Sequence, residues 1–136
     1  MKFKIILSIF LLHLTACLDI SGSKNQVLQE VISPAKNKKA ILFIKYTGAT
    51  SDNSLQISLN KENYELQETE AGNIFTADSD HGKTQLDTSV IRFNWISEDT
   101  LVIRYDNKLR TFTRSEKFME TVIKYEQCEW SKKSKD

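Results

Sequence analysis

The densest crowding of chemistry-bearing side chains in this sequence is Asp78-Ser79-Asp80-His81-Gly82. Two carboxylates at alternate positions followed by glycine match part of a calcium loop, which needs several oxygens and a tight turn. The match stops there. A full loop of the EF-hand type places a third oxygen ligand two residues after Asp80, where Gly82 stands, and closes on a glutamate that the residues after it do not supply. Asp78 and Asp80 are therefore weak metal candidates, against the reading of a polar β-turn whose aspartates bond nearby amides. His81 with Ser79 and an aspartate also has the composition of a hydrolytic triad. Residues two apart on one loop present a nucleophile and its base poorly, so partners from elsewhere would be needed.

Other chemistries find less footing. The carboxylate pairs Glu98-Asp99 and Glu68/Glu70 are the types a glycosidase uses, but acids in turns are normally solvated. No Gly-x-Ser-x-Gly stretch, zinc-ligand spacing or cofactor fingerprint occurs, and four glycines in the whole chain leave little for a phosphate cradle. No cofactor is expected. Tyr46-Thr47-Gly48-Ala49-Thr50-Ser51-Asp52-Asn53-Ser54 is a long polar connection, with Gly48 placed for a positive φ. Its Thr47, Gly48, Thr50, Ser51 and Asp52 form a candidate binding loop, since recognition residues concentrate in such connections. An ordinary wide hairpin remains the other reading. Tyr46, Phe93, Trp95, Tyr105 and Tyr125 are expected in or beside the core, not on a ligand platform.

The N-terminal residues carry a different kind of chemistry. Lys2 and Lys4 precede an apolar run from Ile5 to Leu12, and small residues follow at Thr15 and Ala16. That is the layout of a secretory signal peptide over residues 1–16. The run is too short to cross a bilayer, which takes about 20 apolar residues. Leu14-Thr15-Ala16-Cys17 resembles the lipobox of bacterial lipoproteins. The resemblance implies that Cys17 receives a diacylglyceryl thioether, that cleavage precedes it, and that the new amine is then acylated. Two or more chains, at about 0.8 kcal/mol per buried methylene, make a durable anchor. The membrane is thus an expected partner through the lipid on Cys17. Leu18 stands where an aspartate would resemble an inner-membrane retention signal, so an outer membrane facing the periplasm is the expected location in a Gram-negative source.

Removal of residues 1–16 leaves 120 of the 136 residues, enough for one domain. The balance of 19 basic and 18 acidic residues then moves from +1 to −1 with the loss of Lys2 and Lys4. Nucleic acid, which wants a basic face, is not an expected partner. The tail at 129–136 is locally basic and reads as a solvated end, with contact to anionic headgroups as the alternative. Cys128 is a leftover thiol beside a lipidated Cys17. It is either a small apolar side chain near the end of a strand or half of an intermolecular disulfide.

Residues 17–26 are polar and read as a flexible tether. From Val27 to Cys128, short runs rich in Val, Ile, Phe, Tyr and Thr alternate with polar turn clusters. Strands are predicted over 27–33 (ended by Pro34), 39–47, 54–60, 64–68, 73–77, 91–95, 101–105, 109–114 and 118–126, with one helical turn possible in 115–121. Ala40-Ile41-Leu42-Phe43-Ile44 is apolar on both faces and predicts a buried interior strand. The fold class is all-β: a single antiparallel β-sandwich or curled meander of about seven to nine short strands. Ile32-Ser33-Pro34-Ala35-Lys36-Asn37-Lys38-Lys39-Ala40 and Trp95–Ile103 are similar to the turn-and-strand pattern of propeller blades. There, Ser-Pro-Asp-Gly-Lys commonly precedes a strand. A propeller of about four blades cannot close within this length, so only the turn chemistry carries over. Residues 31–126 also look like a family of small uncharacterised bacterial envelope proteins, through Ser33-Pro34, Gly48-Ala49-Thr50, Ala77–Gly82 and Trp95–Leu101. The functional expectation is a non-catalytic, lipid-anchored domain that binds a protein or other macromolecule at the envelope, in an inhibitor, immunity or accessory role. A metal-dependent or hydrolytic enzyme centred on Asp78–Gly82 is the alternative.

Overall fold

A computed structural model describes residues 22–48 and 52–130. Nine strands account for the regular structure among them: β1 (Lys24–Ile32), β2 (Lys38–Tyr46), β3 (Ser54–Lys61), β4 (Phe75–Asp78), β5 (Ile91–Ser97), β6 (Thr100–Asp106), β7 (Arg110–Arg114), β8 (Lys117–Phe118) and β9 (Thr121–Cys128). They form a five-stranded sheet ordered β1-β2-β3-β4-β7 and a four-stranded sheet ordered β5-β6-β9-β8. The fold is an all-β sandwich.

Period-2 alternation decides which side chains meet between the sheets. Ala40, Leu42 and Ile44 of β2, Leu55, Ile57 and Leu59 of β3, and Phe75 and Ala77 of β4 pack with Ile91 and Phe93 of β5, Leu101, Ile103 and Tyr105 of β6, and Ile123 of β9. Phe75 meets Tyr105 in a tilted contact, centroids 5.3 Å apart, and stacks on Tyr125 at 6.1 Å. Polar ties close the seam. The Tyr125 hydroxyl shares its one proton between the Ile74 and Ser115 carbonyls, both 2.9 Å away, and Trp95 Nε1 donates to Val31 O at 3.2 Å. Burial pushes the Tyr125 phenol well above its ordinary range, against a smaller opposing pull from Arg114.

Sheet pairing is antiparallel except between β6 and β9, which run parallel from Thr100↔Val122 to Asp106↔Cys128. The reason is topological. The chain leaves β6, crosses to the other sheet as β7, and returns, and parallel neighbours require such a crossover. The expectation of antiparallel pairing throughout is corrected at this one pair.

Several boundaries also move. β1 begins at Lys24, three residues inside the predicted tether, because Lys24, Asn25 and Gln26 pair with Tyr46, Lys45 and Ile44. The predicted strand at 64–68 does not form. Residues 62–73 instead lie across the outer face of β1–β3: Asn25 Nδ2 donates to the Gln67 and Glu70 carbonyls, and Lys45 Nζ donates to Thr69 O and Glu70 O. Gly72 N donates to Gln56 Oε1. Under this strap Ile41, Phe43, Gln56 and Ser58 are buried although they face away from the core. In place of a helical turn in 115–121, β8 and β9 form a hairpin whose two loop residues, Met119 and Glu120, have φ of 46° and 57°. Tyr46 is exposed, not half-buried, and its hydroxyl donates to Gln26 Oε1.

Candidate functional site

Register brings the two loops singled out above to one end of the sandwich. Ser54 pairs with both Lys45 and Asp78, and Asp78 pairs in turn with Arg110. The two ends of the β2–β3 connection, the turn after β4 and the start of β7 therefore adjoin. The chain enters there too, since Lys24 pairs with Tyr46 and a Cβ on Gly48 would lie 3.3 Å from Gly22 O.

At the centre is Asp78, 4% exposed. It is held by Arg110 Nε at 3.1 Å to Oδ1 and by a second, shorter contact from Nη2 to Oδ2. The Asp80 amide also donates to its Oδ1 at 2.9 Å. Burial by itself would raise this carboxyl. The Arg110 and Asp80 hydrogen bonds and the guanidinium charge outweigh it, and Asp78 titrates below its ordinary value. The same pairing raises Arg110, with Asp52 adding to the field. Arg110 is thus fixed by a two-pronged contact that a carboxylate matches well. Its side chain is 41% exposed, and the guanidinium sits 5.1 Å over the ring of Phe112, itself 61% exposed.

The turn after β4 winds the wrong way for L-residues. Asp80, His81 and Gly82 have φ of 47°, 61° and 82°, and Lys83 N donates to Ser79 O at 2.8 Å. This is a single left-handed turn, costing about 1–2 kcal/mol per non-glycine residue. Ser79 Oγ accepts from Gly82 N at 2.9 Å, and Lys83 pairs with Asp80. That lysine is the main reason the Asp80 carboxyl titrates low.

These contacts bear on the chemistry considered for the segment. Ser79 and His81 do not meet: the serine caps its own turn, and His81 Nε2 lies 3.5 Å from Arg110 Nη1. Both Asp78 oxygens face a guanidinium, which occupies the place of a cation. Among the described residues, no three His, Cys, Asp or Glu side chains are grouped to hold a metal. Asp99 accepts from the Ser97 and Thr100 hydroxyls and titrates low, the opposite of what a general acid needs. Glu70 accepts the Tyr64 hydroxyl, a contact that raises the phenol.

In the predicted binding loop, Thr47 N donates to Asn53 Oδ1 at 3.3 Å and Thr47 Oγ1 to Asp52 O at 3.1 Å, so the loop ends are pinned together. Gly48 has the expected positive φ, 84°. Thr50, Ser51 and Cys17 lie outside the described residues. Cys128 carries a free, half-buried thiol at the end of β9. Arg110 and Phe112 lie outside every sequence motif considered above. Their only signal was an apolar aromatic in the otherwise polar run Arg110-Thr111-Phe112-Thr113-Arg114.

No protein-family model matches the chain, and neither a curated protein nor a solved structure matches it.

Proposed function

We propose that the chain is a lipid-anchored, non-catalytic β domain of the bacterial cell envelope. It binds a protein partner through the surface made by Arg110, Phe112 and the adjoining Thr47, Gly48, Asp52 and Asn53. One observation carries the reading: an exposed aromatic ring stands under an arginine that a buried aspartate holds in place. Aromatic and arginine side chains dominate binding hot spots, and a prelocked rotamer reduces the entropy lost on association. The strained turn beside it supports the reading, because such backbone persists where surroundings over-determine it and clusters at functional positions.

Anchoring at Cys17 puts this surface at the membrane-proximal end, since the strand that follows the tether starts there. In a Gram-negative source, Leu18 after the lipobox cysteine favours the outer membrane, facing the periplasm, over the inner membrane. Cys17→Ser is expected to abolish lipid labelling and lipoprotein-type processing; a labelled, normally processed mutant would overturn the anchor.

Binding is tested by placing a photo-crosslinking residue at position 112 of the full chain in cells of its source. The expected result is one discrete adduct that weakens in an Arg110→Lys background, where charge stays but the fork is lost. The same adduct obtained from position 94, on the opposite sheet, would count against this surface.

A further inference from the structure

Among the described residues the two sheets end in four edges, and three of them are broken by a bulge in the edge strand itself. Leu28 is the extra residue in β1, Ile96 in β5 and Phe112 in β7. Bulges twist an edge away from further pairing and are a standard protection against strand addition. The fourth edge is different. β9 pairs with β6 over seven positions in unbroken register, while β8 covers its other side only at Thr121 and Val122.

Backbone direction along β9 can be read from its end contacts. Val122 N donates to Asp99 O and Cys128 O accepts from Asn107 N, both on the β6 side. Ile123 N donates away from β6, to Glu116 O. Alternation therefore turns the N–H and C=O groups of Tyr125 and Gln127 outward, beyond the reach of β8. A groove of about 710 Å³ runs beside Tyr125, lined also by Arg114, Glu116, Lys117, Val122, Ile123 and Lys124. Three cations face one carboxylate there. Glu126, on the outer face of the same strand, is already paired with Arg104 at 2.6 Å.

We propose that the open edge of β9 accepts an extended, acidic segment of a partner protein as an added strand. Tyr125 and Gln127 supply the backbone hydrogen bonds, and Lys117, Lys124 and Arg114 select carboxylates on the incoming chain. Charge chooses this occupant over the others at hand. A second β9 pairing antiparallel through Tyr125 and Gln127 would set Glu126 opposite its counterpart, and like charges directly opposite are unfavourable. Residues 131–136 are basic and match the groove in sign. This contact stands on the edge geometry and is independent of the Arg110–Phe112 surface.

The test uses the full chain, ¹⁵N-labelled in detergent micelles, and a blocked ten-residue peptide of alternating valine and glutamate. The peptide is expected to slow amide exchange at Tyr125 and Gln127, to bind more weakly as salt rises, and to outcompete an alternating valine–lysine peptide. Gln127→Pro removes an outward donor at an edge position where proline is tolerated, and should weaken binding about tenfold or more. Lys124→Glu, a surface change that leaves the backbone alone, should shift preference toward the lysine peptide. Equal binding of the two peptides, or binding unmoved by both variants, would overturn the proposal. So would protection of Tyr125 and Gln127 that rises with protein concentration and no peptide, which would assign the edge to a second copy.

Discussion

Arg110 holds its direction only while Asp78 is charged, which makes the pair accessible to titration. In the folded chain Asp78 lies below its ordinary value of 3.8. The unfolded chain therefore binds that proton more readily, and the carboxylate's contribution to stability is complete above about pH 4 and declines as pH falls through the folded-state value. Asp78→Asn removes the charge and leaves the guanidinium with a neutral partner. It is expected to lower stability at neutral pH by about 1.5–3 kcal/mol, the range for hydrogen bonds to charged groups, and to flatten the acid limb below about pH 4. Urea unfolding at several pH values reads both effects. An unchanged acid limb would show that Asp78 does not hold Arg110 in solution. Sequence alone exposed half of this pair. The crowding at 78–82 is visible on inspection, but Arg110 is 32 residues away and reaches Asp78 only through the β4–β7 register. No local pattern encodes that register.

At the level of elements, the turns kept their shapes without the residues that usually make them. In Ser33-Pro34-Ala35-Lys36-Asn37, the blade-like pattern puts glycine at position 36. Lys36 stands there with φ of 54°, after a β-turn closed by Lys36 N donating to Ser33 O at 2.8 Å. Lys36→Gly should therefore raise stability by about 1 kcal/mol. Met119-Glu120 occupies a two-residue hairpin loop with both φ positive, the geometry that favours Asn-Gly, and the double replacement should stabilise in the same direction. A lower urea midpoint in either variant would mean that the lysine or the Met-Glu pair makes contacts worth more than the strain. The strap over 62–73 shows the reverse constraint. A Cβ on Gly72 would stand 2.9 Å from Gln56 Cβ and 3.0 Å from Ile57 O. Gly72→Ala must displace backbone and is expected to cost about 1–3 kcal/mol, as overpacking does, in thermal or urea unfolding. The strands themselves were largely legible from alternation. The strap was not, because Tyr64–Glu68 has the composition of an edge strand, while its place is fixed by Asn25, Lys45 and Gln56 on other elements.

For the molecule as a whole, the decisive arrangement is which end faces which way. An all-β fold was legible from the period of two and the spacing of polar turns, with a sandwich and a curled meander both open. The parallel β6–β9 pair was not, since it depends on the chain passing through the opposite sheet as β7. That same topology gathers Lys24, Thr47, Asn53, the left-handed turn and Arg110 at one end, while β5 lies against β1 and the β9 edge falls on the β4–β7 side. From Cys17 to Lys24 the chain advances seven residues, which span at most about 25 Å when fully extended. A lipid on Cys17 would hold Lys24 within that reach of the bilayer and turn the end of the sandwich that carries Arg110 and Phe112 toward it, so the partner should itself be membrane-bound. Inserting about 20 glycine and serine residues after Asp19 tests this, because effective concentration falls steeply once a linker exceeds the span it must bridge. The longer tether should leave anchoring and the unfolding midpoint unchanged and reduce crosslinking from position 112. Undiminished crosslinking would place the partner free in the surrounding compartment, with the anchor serving retention and not presentation.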